Sequence, residues 1–514
     1  MNTAEKLQPH SSLLDLIQGL VDIPDSNLES LAVKVTGIQM DSRLLKSGDL
    51  FIACFGRNHD ARDYIDEALA LGVNAVLAES GGSWQGITEK EGRAIIAVDE
   101  LGAKISEIAA RFYGHPSEKL TVFGITGTNG KTSCSQFIAQ VLTAMGNNCG
   151  VMGTLGYGIP GSLKETLLTT PDAVFTQMAL AEMCAAKIDP VAMEVSSVGL
   201  HQKRVAAVKF DTALFTNLSR DHLDYHDNME SYAANKRILF TMPGLKHAVI
   251  NLDDSYALSM INAISSDVEI LTYSTENKIA TVHAESYELT AKGYRAIVNT
   301  PLGSGEISGR LIGYFNFSNV LAVLTGLIAY LGKRPDVDIH AICEQLSRLK
   351  PVNGRMEIIG ESDDITAIVD YAHTPDGLRS ALVALGQHFT GKIWCVFGCG
   401  GNRDRGKRPL MGEIAEQYAD HLILTDDNPR NEEGDRIIEH IVSGISRPES
   451  VMAIRDRAEA INYAISHAVA GDVVLVAGKG HENYQESGGH RVLFSDANQV
   501  RLALKSRTGK SRGL

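Results

Sequence analysis

Short runs of consecutive apolar residues alternate along this chain with longer segments whose apolar positions recur every three to four residues. The first pattern predicts buried strands and the second predicts helices with one buried face. Strand-like runs fall at 49–55, 75–78, 94–98, 122–126, 191–195, 212–216 and 248–251, and a β-rich stretch covers 268–311. A second series follows at 365–369, 393–397, 422–424 and 473–477. Helical spacing occupies 64–71, 101–113, 133–145, 316–331 and 410–418. Strands that alternate with helices predict βαβ units and parallel sheets, so the fold class is α/β. The pattern divides into regions 1–99, 100–350 and 351–514, in keeping with a prior of roughly 150 residues per domain.

The sharpest local feature is the passage from the run at 122–126 into Gly127-Thr128-Asn129-Gly130-Lys131-Thr132 and then a helical segment. A strand that meets a helix through such a loop converges backbone N–H groups on an anion, and the helix start adds its positive dipole end. Lys131 is placed to reach terminal phosphates, and the Thr132 hydroxyl to ligate magnesium. Ile125 stands where the general phosphate-loop pattern has its first glycine. Strand, loop, Lys-Thr and helix nevertheless occur in the order that nucleoside triphosphate binding needs.

Composition narrows the rest. Of 514 residues, 44% are apolar, enough for large cores, and the net charge of -14 argues against general nucleic-acid binding. An anionic substrate must then be met by local basic clusters. Seven scattered cysteines without a C-x-x-C pair fit reduced thiols in a cytosol. Residues 1–20 lack a signal-peptide pattern, and the apolar stretch 320–331 is too short to cross a bilayer. The expectation is a soluble cytoplasmic protein without membrane insertion. The basic tail 505–514 reads as a frayed end.

Polar motifs follow the strand-like runs, where ligands gather on parallel sheets. Glu194 ends one run and suits a second magnesium or its water shell, with a strand-end salt bridge as the lesser alternative. Residues 221–226 crowd carboxylates and imidazoles, as a metal or phosphate site does, and also as an ordinary polar loop does. The loop 398–408 joins glycines to four cations suited to carboxylate or phosphate. Asp427-Asn428-Pro429-Arg430 is a stiffened turn with donors for a zwitterionic amino-acid end. Gly478 to Glu482 sets a glycine turn beside an acid that could take an ammonium.

Together these motifs, with N-G-R-M-E at 353–357 and D-Y-A-H-T-P-D at 370–376, resemble the Mur ligases in collinear order over nearly the whole chain. Within that family the resemblance is to the ligases that add diaminopimelate to UDP-N-acetylmuramoyl-L-alanyl-D-glutamate. It implies an N-terminal domain for the UDP end, a central P-loop ATPase-like domain and a C-terminal Rossmann-like domain for the incoming amino acid. It implies ATP-driven amide synthesis through an acyl phosphate, in peptidoglycan precursor synthesis, with ATP as co-substrate and Mg2+ as cofactor. The small-molecule partners are ATP, the UDP-muramoyl dipeptide and meso-diaminopimelate, and the expected state is a monomer.

By the same resemblance, Gly127, Thr128, Asn129, Gly130, Lys131 and Thr132 bind ATP with Asn316, Arg355, Asp370 and His373. Thr132, Glu194, His222 and Lys236 surround metal, Lys236 as a carbamate formed with CO2; Lys131, His222 and Lys236 are the catalytic candidates. Without the resemblance Lys236 reads as a surface helix lysine. Met40, Ser42, Arg57, Asn58, His59, Thr169, Thr170, Ser196, Gln202 and Arg204 match contacts to the UDP substrate. Arg403, Asp427, Asn428, Pro429, Arg430, Gly478 and Glu482 match the diaminopimelate pocket, with Arg430 as selector. Val198 and Leu168 depart from the family pattern beside the muramoyl-peptide contacts. A lysine-adding relative, a folylpolyglutamate synthase-like ligase and, from another class, an ATP-dependent switch or binding protein are the alternative readings. A hinge is expected at 349–353.

Overall fold

The computed structural model describes all residues except 1–10, 30, 57–58, 224, 291–292, 333–336, 362–363 and 512–514. Its three large sheets are parallel over most of their strands, so the loops that leave them collect at one edge of each sheet. The first runs Gly37–Gln39, Asp49–Ala53, Ala75–Glu79, Arg93–Val98 and Ile87–Lys90, with only the last pair antiparallel. The helix Leu101–Phe112, assigned by pattern to the second region, packs Leu101, Ile105, Ile108 and Phe112 into the core of this first sheet. Ala173 and Val174 of the helix Ala173–Ala185 join the same core. The apolar stripe of Leu101–Phe112 thus belongs with the first sheet while touching the central unit.

The central sheet has ten strands, and Val122–Thr126 lies inside it between Val191–Glu194 and Thr212–Phe215. His247–Asn251, Glu269–Ser274 and Val282–Thr290 continue the parallel array, and Gly293–Thr300 and Gly303–Gly309 close it with antiparallel pairings. The register sets Glu194 beside Ile125 and Phe215 beside Thr126. Glu194 and the segment from Thr216 therefore flank the phosphate-type loop. The helix Tyr314–Leu331 is 18 residues long, longer than the apolar stretch suggested, and passes a length and composition test for a bilayer span. Val320, Leu321, Val323, Leu324 and Leu327 are buried in the main core against this sheet, which makes it a core helix.

The third sheet orders Glu357–Glu361, Thr366–Asp370, Val473–Ala477, Ile393–Phe397, His421–Leu424 and Val451–Ala453, with only the first pair antiparallel. The last long strand enters between the first two parallel ones, which makes a switch point where the loops after Asp370, Ala477 and Phe397 diverge. The hairpin Tyr484–Ser487 and His490–Leu493 stands apart as a two-stranded sheet. Of the tail 505–514 expected to fray, the described residues up to Ser511 continue the helix Asp496–Ser511, which packs Val500 and Ala503 beneath the third sheet, and 512–514 lie outside the described residues.

Units two and three meet at several points. Gln140 donates to Lys350 O (3.2 Å) and accepts from Lys350 N (3.0 Å), which ties the expected hinge to the helix Lys131–Ala144. His388 accepts from Gly313 N (3.0 Å) and donates from Nδ1 to Thr290 O (2.7 Å), a pattern that only the neutral ring satisfies. Inside unit three, Arg457 and Asp496 form a two-pronged pair (2.7 and 2.8 Å), both side chains fully buried. Removing one partner strands a buried charge. Arg457→Met should therefore lower the stability of this unit by about 3 kcal/mol or more. Urea unfolding read from Trp394 fluorescence, in a Trp84→Phe background, checks this; an unchanged midpoint would show the pair to be dispensable.

Candidate active site

The loop 127–130 leaves the sheet with Gly127 at φ +153° and Gly130 at φ +88°. A Cβ at Gly130 would collide with Asn319, so glycine is required there. Thr128 N donates to Asn217 O (2.8 Å) and Asn129 N to Asn217 Oδ1 (2.9 Å). The neighbouring strand thus fixes the loop. Lys131 donates to Gly127 O and Thr128 O, both at 2.8 Å. Lys236 donates to the same Gly127 O at 2.7 Å and lies 4.4 Å from the Tyr232 ring centre.

Lys236 is only 1% exposed, not the surface lysine that its helical sequence suggested. The helix Met229–Arg237 is turned by its Asn228 cap so that Tyr232, Ala233 and Lys236 face inward. Burial first, then the Lys131 ammonium, pushes Lys236 well below the ordinary lysine range, against the pull of Asp221. Burial also lowers Lys131, against Glu194 and Asp221. Two amines on one carbonyl oxygen repel each other in a poorly solvated site. Asp221, whose neighbour His222 alone was singled out from sequence, is the carboxylate that acts on both. Burial opposes its charge, but His222, His373 and Lys407 outweigh that and hold it below the usual range.

Thr132 Oγ1 donates to Glu194 Oε2 (2.9 Å), and Thr154 donates to both Glu194 oxygens, from N to Oε1 (2.9 Å) and from Oγ1 to Oε2 (3.0 Å). This is an all-oxygen constellation at a helix start, suited to a hard cation. No group of three or more His, Cys, Asp or Glu among the described residues could hold a metal alone. Thr132 and Glu194 would suit a hard cation such as Mg2+ if a ligand supplied the remaining oxygens. His222 has φ +54° and lies 3.5 Å from Asp221 Oδ2.

Unit three reaches this loop through Arg355, which donates to Thr132 Oγ1 (3.3 Å) and stacks 4.3 Å from the Tyr371 ring centre. Asn129 donates weakly to Asp376 (3.5 Å). Asp370 accepts from Met356 N (2.7 Å), and burial raises its pKa despite Arg355. Asn316 turns back to Ile312 O (2.8 Å).

A cleft of about 1540 Å³ opens between units two and three. Its walls include Thr169, His222, His373, Arg403, Asp427, Asn428, Arg430, Gly478 and Glu482, together with Leu168 and Val198. The loop 127–132 and Met40, Ser42 and His59 do not line it. Ser42 and the exposed His59 follow adjacent parallel strands of the first sheet and share its edge; Met40 leans on that core. Arg57 and Asn58 lie outside the described residues. Thr170, Ser196, Gln202 and Arg204 form a bonded group near the cleft: Arg204 donates to Thr170 O (2.7 Å) and to Gln202 Oε1, and Ser196 N donates to Thr170 Oγ1 (2.9 Å).

Not every cation of the loop 398–408 is available. Arg408 is fully buried and donates to Glu432, which also meets Arg405 at 3.3 Å. Arg403 remains at the cleft wall. Arg430, at φ +54°, donates from Nη1 to Gly401 O (2.8 Å) and from its backbone N to Glu486 O (3.0 Å). The hairpin 484–493, absent from the pattern, thus clamps the turn 426–430. Gly478 needs to be glycine: at φ +113° its Cβ would stand 2.5 Å from Asp427 Oδ2.

These loops, taken in chain order, match three family descriptions in succession. Residues 34–113 match the Mur ligase family catalytic domain, 125–327 the Mur ligase middle domain, and 354–480 the Mur ligase glutamate ligase domain. A UDP-N-acetylmuramoyl-L-alanyl-D-glutamate–2,6-diaminopimelate ligase of Coxiella burnetii is 46% identical over 92% of this chain and 96% of its own. The chain belongs to the Mur ligase family. A Mur ligase of the same name from Pseudomonas aeruginosa is also 46% identical, over 91% of this chain and 94% of its own. A solved structure of that enzyme type matches with a TM-score of 0.69 and 35% identity, over 97% of this chain and 99% of that one.

Two half-buried histidines at the cleft give this Mur ligase a pH signature. Burial and Lys407 lower His373 to about 4, against Asp221, and burial and Arg355 lower His481 to about 3. Below the ordinary histidine value of about 6.5 the unfolded chain binds protons that the folded chain refuses, so stability is lost as pH falls toward 4. For His373 the loss amounts to about 3 kcal/mol. Thermal unfolding from pH 7 to 4 should show a shallower decline in His373→Asn than in the parent; parallel declines would contradict the assignment.

Proposed function

We propose that this protein is a cytoplasmic, ATP-dependent ligase that joins meso-diaminopimelate to the D-glutamyl carboxylate of UDP-N-acetylmuramoyl-L-alanyl-D-glutamate in peptidoglycan precursor synthesis. The observation that carries this reading furthest is the single cleft in which Arg403, Asp427, Asn428, Arg430 and Glu482 of unit three face Thr169 and His222 of unit two. An amine and a carboxylate held on opposite walls is what amide synthesis between two large polar substrates requires. The names of the similar ligases favour the same substrates.

In this reading the loop 127–132 cradles the ATP phosphates, with Lys131 swinging from its backbone partners to the γ-phosphate. Asn316, Arg355, Asp370 and His373 border the nucleotide. The carboxylate oxygen attacks γ-phosphorus, ADP leaves, and an acyl phosphate forms. The free amine then attacks the acyl carbon, phosphate departs, and a proton is released. Thr132, Glu194 and His222 would hold Mg2+, which would supply neutralisation of phosphate charge. The buried amine of Lys236 would take up CO2, losing a proton, and as a carbamate would stand beside the residues offered to the metal; this would also relieve its repulsion with Lys131. Met40, Ser42, His59 and the Thr169–Arg204 group receive the UDP-muramoyl dipeptide. Arg430 pairs with the distal carboxylate of diaminopimelate, which lysine lacks. The regions 1–99, 100–350 and 351–514 serve the UDP end, ATP and the amino acid in turn.

Phosphate release from ATP and Mg2+ with the UDP-dipeptide tests this. Turnover should require the amino acid, accept meso-diaminopimelate over L-lysine, and fall about 100-fold in kcat/KM in Arg430→Ala. Equal use of lysine would overturn the role of Arg430, and turnover without the amino acid would overturn the ligase reading.

A further inference from the structure

Lys479 sits between two glycines after the strand Val473–Ala477 and is fully buried. Its ammonium donates to Asn428 Oδ1 (3.0 Å) and Glu482 Oε2 (2.8 Å) and lies 5.3 Å from the Tyr484 ring centre. A buried ammonium persists only where an opposite charge and acceptors meet it. Here both acceptors belong to side chains among those offered above for the amino acid, Asn428 and Glu482.

The orientation of an Asn amide is decided by its partners. Asn428 Oδ1 accepts from Lys479 and from Glu486 N (2.9 Å), so its Nδ2 is turned to Glu482 Oε2 at 2.8 Å. Glu482 Oε2 is thereby taken twice. Its Oε1, and the second N–H of Asn428, have no hydrogen-bond partner among the described residues. Both residues line the cleft. The cleft is left with one acceptor and one donor side by side, the complement of an amino-acid end with its ammonium and carboxylate.

We propose that Lys479 is a positioning residue that sets this donor–acceptor pattern without touching the ligand. The proposal rests on the reading of this face as the amino-acid pocket. Without Lys479, the amide of Asn428 is oriented by Glu486 N and Glu482 alone, and Glu482 loses the cation that holds it in place.

The test is steady-state kinetics of the full-length protein. Lys479→Met should raise KM for diaminopimelate about 10-fold or more, with kcat within about threefold and KM for ATP and for the UDP-dipeptide unchanged. In an Asn428→Ala background the same change should cost much less, because Lys479 acts through Asn428. Lys479→Gln, which keeps a donor and drops the charge, should give a smaller rise in the same constant and serves if Lys479→Met fails to fold. An unchanged KM for diaminopimelate in a folded variant overturns the proposal, as do fully additive effects with Asn428→Ala. If the parent protein shows no amino-acid-dependent turnover, the functional reading falls first and the proposal with it.

Discussion

The carbonyl oxygen of Gly127 receives two lysine amines, and much of the site follows from that crowding. Lys131 comes from the start of the loop helix and Lys236 from a different helix buried behind it. Like charges at that range in a desolvated pocket are costly, so the loop favours a neutral amine or an anion there. A bound triphosphate supplies negative charge from one side. A carbamate on Lys236 would supply it from the other. Asp221 supplies part of it from within the protein, and the same carboxylate also bears on His373 from the third unit.

Chain topology explains how such distant residues cooperate. In each sheet the parallel register delivers the functional loops to one edge, Glu194 and Asn217 on either side of the phosphate-type loop, and the turns after Asp370, Phe397 and Ala477 at the switch point of the third sheet. Arg355 then links the edges, one hydrogen bond to Thr132 and one ring face on Tyr371. The Gln140 clasp on Lys350 joins the segment 349–353, expected as a hinge, to the helix that opens at Lys131.

Strands with four or more consecutive apolar residues were legible in the sequence because both their faces are buried, as at Ile393–Phe397 and Val473–Ala477. Edge elements were not. The hairpin Tyr484–Leu493 is short and largely exposed, and its grip on Arg430 and Asn428 runs through backbone atoms, which leave no residue signature. Lys236 was misjudged from its own helix because burial there is set by Tyr232 and the loop across from it. Arg408 looked available in a cationic loop, yet Glu432, more than twenty residues away, claims it. Lys479 and Asp221 stood inside motifs already noticed; only their partners in space separate them from their neighbours.

The claim on which the rest leans is that the amine of Lys236 carries an anion in the working enzyme. Carbon-13 NMR of the protein equilibrated with labelled bicarbonate tests it directly. The account predicts one protein-bound carbamate resonance that is present in the parent and missing from Lys236→Arg. Identical spectra from the two proteins would contradict it, and would leave the two lysines to be balanced by nucleotide phosphate and Asp221 alone.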